Sequence, residues 1–218
     1  MEDEKFKYGV DDLIKRYPVL IVCKDTILEA YEILKECFKG GHRLYIAGNG
    51  GSCSDSEHIV GELMKGFKKR RHLSDDECKK LFEVDPIRGK ELSDSLQWGF
   101  PCIALDSHPG LNSAFTNDVP NGGLMTYAQQ LNVLGNKGDV FLGISTSGNS
   151  KNVMYASVVA KAKGLKVIGL TGEKGGELSK IADVCIKAPS SETFMIQEYH
   201  LPIYHCLCLM LEEYFEKY

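Results

Sequence analysis

Apolar positions along the chain follow two rhythms. Short apolar runs fall at 43–47, 101–105, 139–144, 166–170 and 183–187, each bounded by polar or glycine-rich residues. Runs of that length between turn signals predict buried strands. Between them the apolar residues recur at helical spacing. Residues 4–17 and 24–39 predict two helices, the second with Leu28, Tyr31, Leu34 and Phe38 on one stripe. Further helices are expected over 52–67, 124–134, 152–163, a short stretch after 176, and 193–215. Strands that alternate with helices imply an α/β fold, a parallel sheet of five strands covered on both faces. Ligands of such sheets bind at the carboxyl ends of the strands.

One stretch breaks the alternation. Residues 68–99 open with Lys68-Lys-Arg-Arg71 and continue with Ser74-Asp-Asp-Glu77, a helix start with Ser74 as N-cap. They close on Leu92, Leu96 and Trp98, apolar enough to dock. The segment reads as an inserted helical arm or lid within a single domain spanning 1–218, and the basic run reads as a solvated face.

Composition narrows the class without naming a function. At 218 residues, with 43% hydrophobic and 26% charged, the chain has the profile of a globular domain. A net charge of −4 gives no case for nucleic acid or an anionic membrane. No apolar run approaches the roughly 20 residues that cross a bilayer. The acidic start Met1-Glu-Asp-Glu is unlike a secretory signal, so a cytoplasmic location is expected. The eight cysteines include no C-x-x-C pair and mostly fall inside predicted elements, as reduced, buried thiols do.

Candidate chemistry gathers at two turns and one helix. The strand at 43–47 runs into Gly48-Asn-Gly-Gly-Ser52 and then a helix, which offers backbone N–H groups at a positive helix end. Cys53 replaces the third glycine of a dinucleotide fingerprint, and no Walker-type loop is present. His58 and Glu62 follow four residues apart on one helix face. The competing reading of the turn is a tight bend that needs glycine for shape alone. The second turn, Ser145-Thr-Ser-Gly-Asn-Ser150, brings hydroxyls and a new helix start to the end of the 139–144 strand. An ordinary Ser/Thr cap would look the same, yet two such loops on strand ends point to a phosphate-bearing small molecule. The last helix carries Gln197, Glu198, His200 and His205 in an otherwise apolar sequence. Polar groups there need partners if buried, and Pro202 bends the axis, leaving open whether Gln197 and His205 face the same way.

Taken together, Gly48-Asn-Gly-Gly-Ser52 with Asp55, His58 and Glu62, then Ser145–Ser150, Leu170-Thr-Gly172 and Ile196-Gln-Glu198 with His205, resemble the phosphoheptose isomerase family of the sugar-isomerase (SIS) class. The resemblance covers residues 25–66 and 100–216. It implies a three-layer α/β/α sandwich, flavodoxin-like, with N-terminal helices and the helical insertion as additions. It also implies an aldose–ketose isomerase, with sedoheptulose 7-phosphate the first substrate to try. In that reading Glu62 is the base and His205 the acid of an enediol mechanism. Asn49, Gly50, Gly51, Ser52, Ser145, Thr146, Ser147, Ser150 and Gln197 correspond to substrate-binding positions. His58, Glu62, Gln197 and His205 match a set that binds zinc in some members, and the family implies a homotetramer with shared active sites. This chain departs from the family pattern at His108, around Lys65-Gly66, and at Met195, positions that bear on substrate grip. Two other outcomes remain: an isomerase of a different phosphosugar, and a non-catalytic SIS domain that senses a phosphosugar or regulates a protein partner.

Overall fold

The computed structural model describes residues 6–216. Its centre is a parallel sheet of β1 (Leu44–Ala47), β2 (Cys102–Ala104), β3 (Val140–Ile144), β4 (Lys166–Gly172) and β5 (Val184–Ala188), in the order β2-β1-β3-β4-β5. All pairings are parallel, with Tyr45 opposite Ile103 on one side and Phe141 on the other. Helices α1 (Val10–Arg16), α2 (Lys24–Lys39), α3 (Gly51–Leu63) and α10 (Thr193–Phe215) supply residues to one face. Helices α7 (Thr126–Leu134), α8 (Lys151–Ala162) and α9 (Leu178–Ile181) supply the other. The strand side chains alternate between them. Leu44 and Ile46 join the core with Tyr31, Ile59 and Leu207, while Tyr45 and Ala47 join Tyr127, Leu131 and Ala156. Burial of both sheet faces explains why the strands read as continuous apolar runs. The three-layer expectation holds.

Boundaries shift in a few places. The first helix begins only at Val10, and the expected residues 4 and 5 lie outside the described range. Helix α3 stops at Leu63 rather than Phe67. A helix α6 (Pro109–Asp118) follows β2, with Pro109 at its first position, and has no counterpart in the sequence pattern because it buries no residue and carries no apolar stripe. A 3-10 turn at Pro18–Cys23 precedes α2.

The arm is a helical hairpin, α4 (Asp75–Val84) and α5 (Pro86–Ser95). Ser74 and Glu77 form a full capping box at the start of α4. The Asp85 carboxylate caps α5 by accepting from the backbone N–H groups of Ile87 and Arg88 at 3.0 and 2.9 Å. No residue of α4 is buried. The neck closes through an antiparallel bridge between His72 and Gln97 and a bond from Trp98 N to Arg71 O of 3.0 Å. The basic run is not uniformly solvated: Arg71 is buried, with its guanidinium against the Glu212 carboxylate at 3.1 Å. Arg71 turns inward because Glu212, itself buried, supplies the opposite charge there.

Candidate active site

The chain order reverses between β1 and β3, and the two motif turns leave the carboxyl ends of those strands. Such a switch point opens a crevice at the sheet edge. In the first turn Gly50 adopts φ +57, a left-handed conformation that glycine enters without cost. Tyr127 donates to the Gly48 carbonyl at 2.7 Å and fixes the turn from below. In the second, Gly148 has φ +68, and a Cβ there would run into the Gly175 carbonyl of the turn after β4. The N-terminus of neither α3 nor α8 is capped by a side chain of its N-cap residue. At the start of α3, Ser52 N and Cys53 N already donate to Asn49 O and Gly50 O at 3.1 Å each, so the opening turn of α8 is the one placed to meet an anion.

The two turns are tied together. Asn49 and Asn152 exchange amide hydrogen bonds of 2.9 and 2.8 Å across the crevice. Ser145 Oγ and Ser150 Oγ stand 2.9 Å apart, and the Ser147 hydroxyl accepts from Asn149 N at 3.2 Å. Asn49, Gly50, Gly51 and Ser147 are exposed; Thr146 and Ser150 are half-buried; Ser145 and Ser52 are buried. Ser52 packs under Gly48. Asn152 is the crevice residue that the motif comparison missed, because its pairing with Asn49 spans 103 positions.

The other half of the site lies down the paired helices α3 and α10. Pro202 sits inside an unbroken α10, and Gln197 and His205 both reach α3. A Cβ at Gly51 would stand 2.5 Å from Gln197 Nε2, and His205 Nε2 lies 3.4 Å from His58 Nε2. His58 Nε2 is also 3.2 Å from Glu62 Oε1. The Tyr204 hydroxyl donates to Asp55 Oδ1 at 3.2 Å and stands 3.0 Å from His58 Nδ1. The Tyr204 contact at Nδ1 fixes the His58 ring so that Nε2 faces Glu62 and His205. Tyr204 was not singled out in the sequence, since an aromatic on an apolar helix reads as core.

Burial sets the ionisation of these groups. It raises the Asp55 carboxyl, a trend opposed by the Tyr204 hydrogen bond. The Tyr204 phenol is pushed up by burial and then by the Asp55 charge. The His205 imidazole is pushed down by burial, helped by neighbouring His58. The shift favours the neutral form of the His205 imidazole.

The donor set suits zinc in chemistry. Imidazole nitrogen and carboxylate oxygen are zinc ligands, and tetrahedral bonds of about 2.0–2.1 Å place ligand atoms about 3.3–3.4 Å apart. The His58–Glu62 and His58–His205 separations of 3.2 and 3.4 Å are close to that spacing. Among the described residues no group of three His, Cys, Asp or Glu side chains closes into a metal-holding arrangement as placed.

The remaining sequence candidates lie nearby. Lys65 Nζ reaches Glu62 Oε2 at 3.4 Å. His108 is exposed at the start of α6 and lines an open cavity of about 430 Å³ with Glu57, Val60 and Ser107. Cys53 donates to Asp106 Oδ2 at 3.1 Å, and burial with the Asp106 contact pushes its thiol up to about 11, so it is no nucleophile. His200, by contrast, is a core residue on the Thr171 carbonyl. All eight cysteines are free thiols. No helix among the described residues is long and apolar enough to cross a membrane.

Comparison with known proteins gives the family. The SIS domain family model matches residues 119–172, from the end of α6 to the end of β4. The chain is 35% identical over 200 residues to the phosphoheptose isomerase of Aneurinibacillus thermoaerophilus, covering 87% of each. It is 37% identical over 189 residues to that of Nitratiruptor sp., covering 87% of this chain and 86% of the relative. The solved phosphoheptose isomerase of Neisseria gonorrhoeae superposes with a TM-score of 0.72 at 26% identity, covering 93% of this chain and 94% of that one. The chain belongs to the phosphoheptose isomerase family.

Proposed function

We propose that the protein interconverts an aldose phosphate and a ketose phosphate, with sedoheptulose 7-phosphate and D-glycero-D-manno-heptose 7-phosphate as the pair. The observation that carries this is the convergence of Glu62 and His205 on His58, on helices whose starts flank the Gly48–Ser52 turn. Family membership supports the substrate.

The residues divide the reaction between them. The Glu62 carboxylate takes the proton from the carbon beside the carbonyl. His205 gives a proton to the carbonyl oxygen, and the enediol forms. Return of the Glu62 proton to the neighbouring carbon, with His205 recovering one from the other hydroxyl, completes the transfer. No net proton is consumed. Tyr204 and Asp55 hold the His58 ring so that Nε2 points at both groups. Zinc held by His58, Glu62 and His205, with Gln197 as a fourth donor once its amide turns from Gly51 toward them, would polarise the substrate carbonyl. The phosphate sits against Ser145, Thr146, Ser147 and Ser150 and the α8 N-terminus, with Ser52 backing the turn, while Asn49, Gly50 and Gly51 let the sugar approach the backbone.

Scale supports a shared site. At 1.5 Å per residue, His58 and Glu62 lie about 10 and about 16 Å along α3 from Gly51. A homotetramer that sets the His58–Glu62–His205 face of one subunit against the turns of another shortens that path. Light scattering should then give a mass four times that of the chain.

The test is proton exchange. Incubation of the purified protein in D₂O with a panel of sugar phosphates, with and without Zn²⁺, should incorporate deuterium at the carbon next to the carbonyl. Absence of exchange across the panel in both conditions would defeat the assignment.

A further inference from the structure

Arg71 and Glu212 form an ion pair whose side chains are 0% and 4% exposed, between the root of the arm and the last helix. Its reach goes beyond the two charges. Arg71 Nη1 donates to the Leu63 carbonyl at 2.9 Å, which also accepts from Phe100 N at 3.0 Å, and Nη2 to the Glu62 carbonyl at 3.5 Å, both in the last turn of α3. The Glu212 carboxylate accepts from Phe67 N at 2.7 Å and Lys68 N at 2.9 Å. The guanidinium lies over the rings of Trp98 and Phe100, 5.0 and 4.8 Å from their centroids. The Phe67 ring in turn packs 5.2 Å from His205. One buried pair thus holds the end of the helix that carries Glu62, the turn that leaves it, and the ring beside His205.

We propose that Arg71 and Glu212 are positioning residues for the isomerisation, setting Glu62 and the Phe67–His205 contact without touching substrate. This rests on the reading of Glu62 as the base. A buried ion pair adds little net stability over an apolar pair of the same shape, because desolvation offsets the attraction. Stability alone is therefore a weak reason for the pair. Placement of a base is different, since an error of about 1 Å in a reacting group can cost about 100-fold in rate. The phosphate-type turns at the other end of α3 make no contact with the pair, so substrate grip and base placement are separable.

The test uses the full chain with Arg71→Met, Glu212→Gln and the double variant. Arg71→Met strands the Glu212 charge, and the double variant removes that charge while the introduced amide keeps an acceptor for Phe67 N. The double variant should recover most of the thermal stability lost in Arg71→Met yet keep a kcat at least about tenfold below the parent, with KM within twofold. Arg71→Lys, which keeps the charge but not the fork, should show the same kcat–KM split and serves if the double variant does not fold. A kcat within twofold of the parent, or a matched change in kcat and KM, overturns the proposal. Hydrogen exchange of residues 62–71 provides a readout without turnover. Faster exchange confined to that segment supports the clamp even if the parent isomerises none of the sugars, which would defeat the functional reading alone. Unchanged exchange there together with unchanged kcat sinks the clamp.

Discussion

Glu62 and His200 are both polar side chains on helices of the same core layer, and their surroundings give them opposite duties. Glu62 keeps an open edge toward His58 and Lys65, as the base of the proposed isomerisation must. Glu62→Gln retains the shape and the hydrogen bond but removes the proton acceptor. It should lower kcat by at least about 100-fold, with a melting temperature close to the parent's. Near-normal turnover would remove Glu62 as base. His200 is sealed off, its Nε2 3.2 Å from the Thr171 carbonyl and its Nδ1 without a partner. Burial pushes its imidazole down to about 4 from the ordinary 6.5. The unfolded chain therefore takes up this proton first as pH falls, and the native state loses stability from about pH 6.5 down to about pH 4. Between pH 7 and pH 5 the loss is about 2 kcal/mol. His200→Gln keeps an amide donor for Thr171 and does not titrate. Urea melts at the two pH values should show the variant losing about 2 kcal/mol less than the parent; equal losses would show that His200 does not govern acid lability.

The arm shows how an element can be ordered by local rules and remain peripheral. Helices α4 and α5 are specified by a capping box at Ser74 and a carboxylate cap at Asp85, and they pack on each other. With no buried residue in α4 and only Gly89 buried in α5, the hairpin contributes little to the central core. Replacing residues 74–95 by a short Gly/Ser turn keeps the His72–Gln97 bridge and the Arg71 anchor. It should shift the melting temperature by no more than about 3 °C, or about 1 kcal/mol. A larger drop in scanning calorimetry would show that the hairpin supports the core. The contrast explains what was legible in the sequence. Strands β1 to β5 announced themselves because both faces of the sheet are buried, and Ser74 announced α4 because caps are local chemistry. Helix α6 did not, since an exposed helix without a stripe has no periodic signal. The inward turn of Arg71 was equally hidden, because its partner lies 141 positions away. The same limit applied at the site: His58 and Glu62 are neighbours on one helix, whereas their contact with His205 and Tyr204 exists only once α3 and α10 pack.

At the scale of the whole molecule, the order β2-β1-β3-β4-β5 determines where ligand binding can feed back on stability. The turns after β1, β3 and β4 are joined by Asn49–Asn152 and by backbone bonds from Leu178 N to Gly148 O and Gly172 N to Thr146 O, each 2.9 Å. A phosphate held on the Ser145–Ser150 turn would bind to a network that joins three strand ends, so its binding free energy would be coupled to the integrity of the sheet. Sedoheptulose 7-phosphate at 100 times its dissociation constant should stabilise the fold by about 2.7 kcal/mol, a rise of about 5–10 °C in melting temperature. Inorganic phosphate should act in the same direction with a smaller shift, since it lacks the sugar contacts. Replacing Ser145 and Ser150 together by Ala removes both partners of their 2.9 Å contact and leaves no orphaned hydroxyl from that pair. The double variant should therefore melt near the parent when free and lose most of the shift with either ligand. If instead it retains the full shift, the phosphate is held elsewhere, and the crevice between β1 and β3 loses its claim to the substrate.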